Sequence, residues 1–192
     1  HILATFRSCP AAWLHLSTSR EPSFTRLMWA AAHVVQHKLR AGSLTQEGRL
    51  KLHHAAGELI DAPLFIDDTP GTTVMDVHAK SRRLRNEHGL ALVVVDYLQL
   101  MSSNVGKPSE NRATEISEIS RSLKALAKEL HVPVIALSQW NRSLEQRTDT
   151  RPVMSELRES GAIEQDADMS LFIYHADVEA SASQQTGQAQ IS

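Results

Sequence analysis

Cysteine is nearly absent from this chain: Cys9 is the only one among 192 residues. A lone thiol excludes an internal disulfide and is compatible with a reducing compartment, so a cytoplasmic location is expected. An excess of one charge is missing too. Twenty Lys and Arg against 22 Asp and Glu leave a formal net charge of −2, which gives no global signal for nucleic acid. Any contact with DNA or RNA would have to be local. No apolar run reaches the length of a membrane span, and no membrane partner is expected. The opening HILATFRSCPAAWLHL lacks a charged region ahead of a clean apolar core and does not read as a signal peptide. The first residue is His1 rather than Met, which fits a fragment. There are no internal repeats, and the length suits one domain with a sizeable core.

What is there centres on LALVVVDYLQLM, Leu90 to Met101. Leu92 to Val95 form an unbroken apolar, β-branched run, the pattern of a strand buried on both faces in a parallel sheet covered by helices. The run ends in a lone carboxylate, Asp96. Ligands of α/β sheets bind beyond the carboxyl ends of the strands, where one carboxylate can hold a magnesium ion. Asp96 is equally readable as a strand end facing water, and spacing alone leaves both open.

Taken in order, HILATF reads as a strand and AAWLHLS as a short apolar piece, with Pro10 and Pro22 interrupting. RLMWAAAHVVQHKLR, residues 26–40, reads as a helix. Ser43 with Gln46 makes a capping box for a second helix running to about Ile60. The adjacent His53 and His54 point to different faces of that helix and lack the spacing of a metal pair. PLFI, residues 63–66, is a short strand followed by Asp67, Asp68 and the turn TPG. Thr73 and Asp76 cap a helix with Val74, Val77, Ser81 and Leu84 at helical spacing, and Gly89 ends it. Lys80, Arg82, Arg83 and Arg85 crowd its other faces and read as solvated charge.

Residues 102–112 are a polar loop. The clearest helix spans about Ala113 to Leu130, with Ile116, Ile119, Leu123, Leu126 and Leu130 on one stripe. VPVIAL, residues 132–137, is a strand that ends in Ser138 and Gln139. Residues 140–161 are charged loop, MSLFIY (169–174) is a further strand, and the tail from Ala180 is small and polar. Strands alternating with helices specify a parallel α/β sheet with right-handed crossovers. In such a sheet Asp96 and Gln139 share one edge. An amide there can sense a phosphate oxygen or orient a water, and it can also serve as an ordinary strand-end hydrogen bond.

The order VVVDYLQLM, RATEISEISRSLKALAKELHVPVIALSQWNRSLEQR, RPVMSELRESGAIEQDADMSLFIY closely resembles the motor domain of the replicative DNA helicase family DnaB. The resemblance runs over roughly residues 36–178, from HKLRAGSLT and through IDDTPG. It sets apart residues 1–25 as a poorly matching segment, 26–178 as a partial motor domain, and 179–192 as a polar tail in which TGQAQIS corresponds to the start of the family's last strands. It implies a RecA-like P-loop NTPase core, a mostly parallel sheet flanked by helices and incomplete at both ends. It implies that Asp96 is the Walker B carboxylate that positions magnesium, and that Gln139 couples the γ-phosphate of ATP to the DNA-binding loops. It makes Arg158, Glu159 and Gly161, in LRESG, the loop that holds single-stranded DNA in the channel of a homohexameric ring. Primase or a loader would be further partners. Trp140 stands where the family more often has Leu.

Two family features are missing. The chain contains no G-x-x-x-x-G-K-[ST] phosphate loop; its Gly106–Lys107 pair is followed by Pro108 and lies after the Walker B strand. The water-activating glutamate belongs to a SLEM-like motif, and counting back from Arg26 puts Ser17 there. A hydroxyl near its ordinary pKa does not replace a carboxylate base. Between Ser138 and Gly161 four arginines are matched by four acids, so one isolated chain is not expected to bind DNA strongly by counterion release. The expectation is therefore a truncated or altered helicase motor, with a shifted reading frame near its start as one origin. A non-catalytic DnaB-like module that binds DNA or joins a ring is the alternative. A recombinase relative is a third reading, and LRESGAIEQDAD argues against it.

Overall fold

The computed structural model describes residues 9–34, 41–102, 112–139, 161–175 and 189–191. Its elements in chain order are β1 (Ala11–His15), α1 (Arg20–Ala32), α2 (Gln46–Asp61), β2 (Leu64–Asp67), α3 (Val74–His88), β3 (Leu92–Asp96), a 3₁₀ turn (Leu98–Leu100), α4 (Arg112–Leu130), β4 (Val134–Ala136), α5 (Gly161–Asp166), β5 (Ile173–His175) and β6 (Ala189–Ile191). Strands β2, β1, β3 and β4 form a four-stranded sheet in that spatial order, every pair parallel. The expected parallel α/β architecture is therefore present.

The sheet is built around β1 and β3. Ala11 pairs with Leu92, Leu14 with Val95 and His15 with Asp96, and on the other side of β1 Ala11 pairs with Leu64. Burial along β3 alternates rather than being complete: Val93 and Val95 are fully buried, Leu92 and Val94 partly. The buried set joins Ala12 and Leu14 of β1 with Val74 and Val77 of α3 and Ile119, Leu123 and Leu126 of α4. One face of the sheet is thus sealed by two helices and the other is less covered, which corrects the expectation of a strand buried on both faces.

Helix α3 forms because its first turn is satisfied from both directions. The Asp76 N–H donates to Thr73 Oγ1 (3.2 Å) and the Thr73 N–H to Asp76 Oδ2 (2.9 Å), the reciprocal box that the sequence predicts. Those hydrogen bonds hold the Asp76 carboxyl below its usual pKa. Gly89 ends the helix with φ 70°, in the left-handed region that glycine enters without steric cost. The buried residues Val74, Val77, His78 and Ser81 repeat at helical spacing. The basic face is not simply solvated. Lys80 bridges to Asp67, Arg82 donates two hydrogen bonds to Glu129 of α4 (2.6 and 2.8 Å), Arg83 lies 3.9 Å from Glu87, and Arg85 donates to the Leu90 carbonyl (2.8 Å). Three of the four cations fasten α3 to a neighbouring segment.

Three elements differ from expectation at their boundaries. Helix α1 begins at Arg20 rather than residue 26, because Pro22 falls in its first turn, where a missing N–H costs no internal hydrogen bond. It stops at Ala32, with His33 in the left-handed region. Helix α2 is capped by Thr45, which accepts from the Gly48 N–H at 3.2 Å, rather than by Ser43. The strand expected over 169–174 is confined to Ile173–His175, outside the main sheet and antiparallel to β6. The expected strand HILATF and the loops 103–111 and 140–160 lie outside the described residues. No described helix is long and apolar enough to cross a membrane.

Candidate nucleotide site at the carboxyl edge of the sheet

Parallel pairing brings the carboxyl ends of β1, β3 and β4 to one edge, where an α/β sheet leaves room for a ligand. Asp96 is the last residue of β3, and its side chain is one-fifth exposed. One carboxylate oxygen, Oδ2, lies 2.7 Å from Nδ1 of His15, the last residue of β1. His15 is buried, and the approach is a close polar contact rather than an aligned hydrogen bond. The strand ends are also joined through the main chain, since the Leu16 N–H donates to the Asp96 carbonyl at 2.8 Å. The Asp96–Tyr97 peptide bond is cis.

On the β4 side the link is Gln99, in the 3₁₀ turn. Its Nε2 donates to Ser138 Oγ (2.8 Å) and to the Gln139 carbonyl (3.3 Å), and its Oε1 accepts from the Gln139 N–H (3.3 Å). One amide side chain thus ties the exit of β3 to the exit of β4 and fixes the backbone from which the Gln139 side chain projects. The turn is itself held by Arg112, whose guanidinium donates to the carbonyls of Gln99 (2.7 Å) and Met101 (3.1 Å) and pairs with Glu115.

Asp96 and Gln139 therefore share one edge, though no direct contact joins them among the described residues. Ser17, two residues beyond β1 where the SLEM-like glutamate would stand, is exposed. Gly161 opens α5, while Arg158 and Glu159 lie outside the described residues. His15, Gln99 and Arg112 carry much of the edge's geometry, and no sequence pattern singled them out. The rule that flagged Asp96, a polar residue closing a buried strand, would have flagged His15 once AAWLH was placed in the sheet.

Magnesium keeps several waters and is bound through one or two carboxylates together with substrate phosphates. Among the described residues no three His, Cys, Asp or Glu side chains are grouped to cage an ion. Asp96 offers what a shared magnesium needs, one carboxylate with an oxygen that no described side chain engages.

The parallel sheet flanked by helices has the RecA-like fold of the solved structures on which it superposes. A DnaB-like replicative helicase, described with its interactions with primase, superposes with a TM-score of 0.85 at 35% identity, over 95% of this chain and 44% of that one. A second solved structure, described as an ATPase domain, superposes with a TM-score of 0.82 at 32% identity, over 99% of this chain and 74% of that one.

The chain belongs to the family of the DnaB-like helicase C terminal domain, whose profile matches residues 2–192. The match takes in residues 2–25 as well as the stretch that carries the motifs. Among relatives, the chain is 51% identical over 175 residues to the replicative DNA helicase DnaB of Geobacillus stearothermophilus and 47% identical over 175 residues to the replicative DNA helicase DnaC of Bacillus subtilis. Those alignments cover 91% of this chain and 38% of each relative. It is also 51% identical over 162 residues to DnaB of Mycobacterium intracellulare, covering 84% of this chain and 28% of that relative. The chain thus spans well under half the length of these relatives.

Proposed function

We propose that this chain is the Walker B and γ-phosphate-sensing part of a replicative helicase motor, whose parent couples ATP hydrolysis to translocation along single-stranded DNA and to duplex unwinding. The observation that carries the reading is the placement of Asp96 and Gln139 at one edge of the parallel sheet, where Gln99 ties the turn after β3 to the segment after β4. In this reading Asp96 holds magnesium, which neutralises charge developing on the transferred phosphoryl group. Gln139 meets the γ-phosphate and passes its presence along the segment after β4 to Arg158, Glu159 and Gly161, which hold DNA phosphates. The motor works as a homohexameric ring in the cytoplasm, with primase and a loader as partners. Primase belongs here because one structural relative is described together with it.

The sequence holds no G-x-x-x-x-G-K-[ST] to cradle phosphates and has Ser17 in place of a base. These 192 residues alone are therefore expected to hydrolyse ATP at the background rate with magnesium and single-stranded DNA present. Robust turnover that Asp96→Ala abolishes would overturn this account of how the site is completed. A second reading, a non-catalytic module that joins a ring of intact subunits, draws on the exposed apolar residues Ile135 and Leu137 at and just beyond β4. Co-purification with an intact helicase, without nucleotide binding by this chain, favours that reading.

A further inference from the structure

The Asp96 carboxylate does not stand alone at its strand end. Across the β1–β3 ladder it pairs with His15, and because both close parallel strands in register their side chains leave the sheet on the same face. His15 is 4% exposed, and its Nδ1 sits 2.7 Å from Asp96 Oδ2.

The ring is braced from its other side. Its Nε2 lies 2.5 Å from Thr18 Oγ1, which lies 3.2 Å from Ser23 Oγ, and Ser23 Oγ donates to the Ser19 carbonyl at 3.0 Å. Ser23, in the first turns of α1, is completely buried. The Trp13 ring stands 4.9 Å from the imidazole, centroid to centroid. This row of contacts leads from the start of α1 through Thr18 and His15 to one oxygen of Asp96.

We infer that His15 is a positioning residue for Asp96: its buried ring stands against Oδ2 and restricts the carboxylate on that side, so that Oδ1 is the oxygen presented to a metal–phosphate ligand. Through Thr18 and Ser23 the same contact makes the entry of α1 part of the site's support. The inference rests on the reading of Asp96 as the magnesium carboxylate. A side chain that orients a metal ligand acts through the ligand's geometry, and its loss weakens metal binding while the fold remains.

The test uses Mn2+ as the probe and amide NMR of the 192-residue chain as the readout, following paramagnetic broadening at Tyr97 and Leu98 as Mn2+ is added. His15→Leu, which keeps an apolar filler and removes the ring nitrogens, is expected to raise the Mn2+ concentration for half-broadening by about tenfold. His15→Asn, whose amide keeps a polar group of similar reach beside Oδ2, is expected to stay near the parent value. Thr18→Val, which leaves the ring and removes only its brace, is expected to fall between them and reads the same coupling where His15→Leu disturbs folding. A role confined to packing predicts the opposite order, with Leu tolerated better than Asn, and that order overturns the proposal. So does an unchanged titration in both His15→Leu and Thr18→Val. Asp96→Asn separates the two layers. Broadening that survives it defeats the magnesium reading of Asp96, whereas broadening that needs Asp96 and ignores His15 defeats only the positioning role.

Discussion

Among the described residues, strands β1 and β3 each have a parallel neighbour on both sides, whereas β4 has one, and the residues along them differ accordingly. Val93 and Val95 of β3 are completely buried, while Ile135 of β4 is 51% exposed and Leu137, just beyond it, 42%. On the β1–β3 side apolar surface meets α3 and α4, and charges meet partners: Lys80 with Asp67, Arg82 with Glu129, Lys124 with Asp168. Beyond β4 the apolar side chains of Met169, Leu171 and Ile173 stand in solvent. The candidate site straddles this boundary, with Asp96 on the closed half and Gln139 on the open half. The carboxylate lies against a buried neighbour and the amide residue is exposed, a division that suits the proposed pairing of a positioned metal ligand with a phosphate-sensing group.

The sharpest way to break the comparison is to cut into each half. Leu126→Ala removes a completely buried side chain of α4 and is expected to cost about 2–5 kcal/mol in equilibrium urea unfolding.

A smaller effect should appear in acid. Burial alone would raise the Asp67 carboxyl, but the hydrogen bonds from Lys80 and Thr69 outweigh it and hold its pKa below the usual aspartate value. A carboxyl depressed by folding contributes stability that is complete above the unfolded-chain value, about 3.9, and is lost as pH falls through the folded value. Asp67→Asn should therefore be less stable than the parent at neutral pH and lose less on going from about pH 4 downward. Parallel acid-unfolding curves for the two proteins would show that the Lys80 bridge does not couple to folding.

The smallest change is expected on the open half. Ile135→Ser should alter unfolding free energy by no more than about 0.5 kcal/mol while reducing self-association in light scattering, since an exposed apolar edge strand templates pairing between chains. A loss as large as that of Leu126→Ala would mean that β4 is covered in solution.

Much of the closed half is legible in the sequence because its signals are local. The Thr73–Asp76 box, the Gly89 stop and the α4 stripe each repeat or close within a few helical turns. β1 is harder to read. AAWLH is short, begins with two small residues and ends in a histidine, so nothing in it announces a strand with neighbours on both sides; its place depends on partners far along the chain. Pro22 reads as an interruption until its position in the first turn of α1 is known. At the site, Asp96 and Gln139 are visible as polar ends of apolar runs, but Gln99 acts through side-chain contacts forty residues apart in sequence, which no local pattern records. The short pairing of β5 with β6 is likewise set at a distance.

The position of β1 also governs the order of events during synthesis. Ala11 leaves the ribosome first, yet its partner Leu92 is made about eighty residues later. At about 5–20 residues per second that is a wait of roughly 4 to 16 seconds. Until then, of the described strands, the one that carries His15 has only β2 to pair with, and the Asp96 edge does not exist. The candidate edge is therefore assembled late and in steps: Asp96 meets His15 when β3 pairs with β1, and Gln139 follows only when β4 is added beside β3.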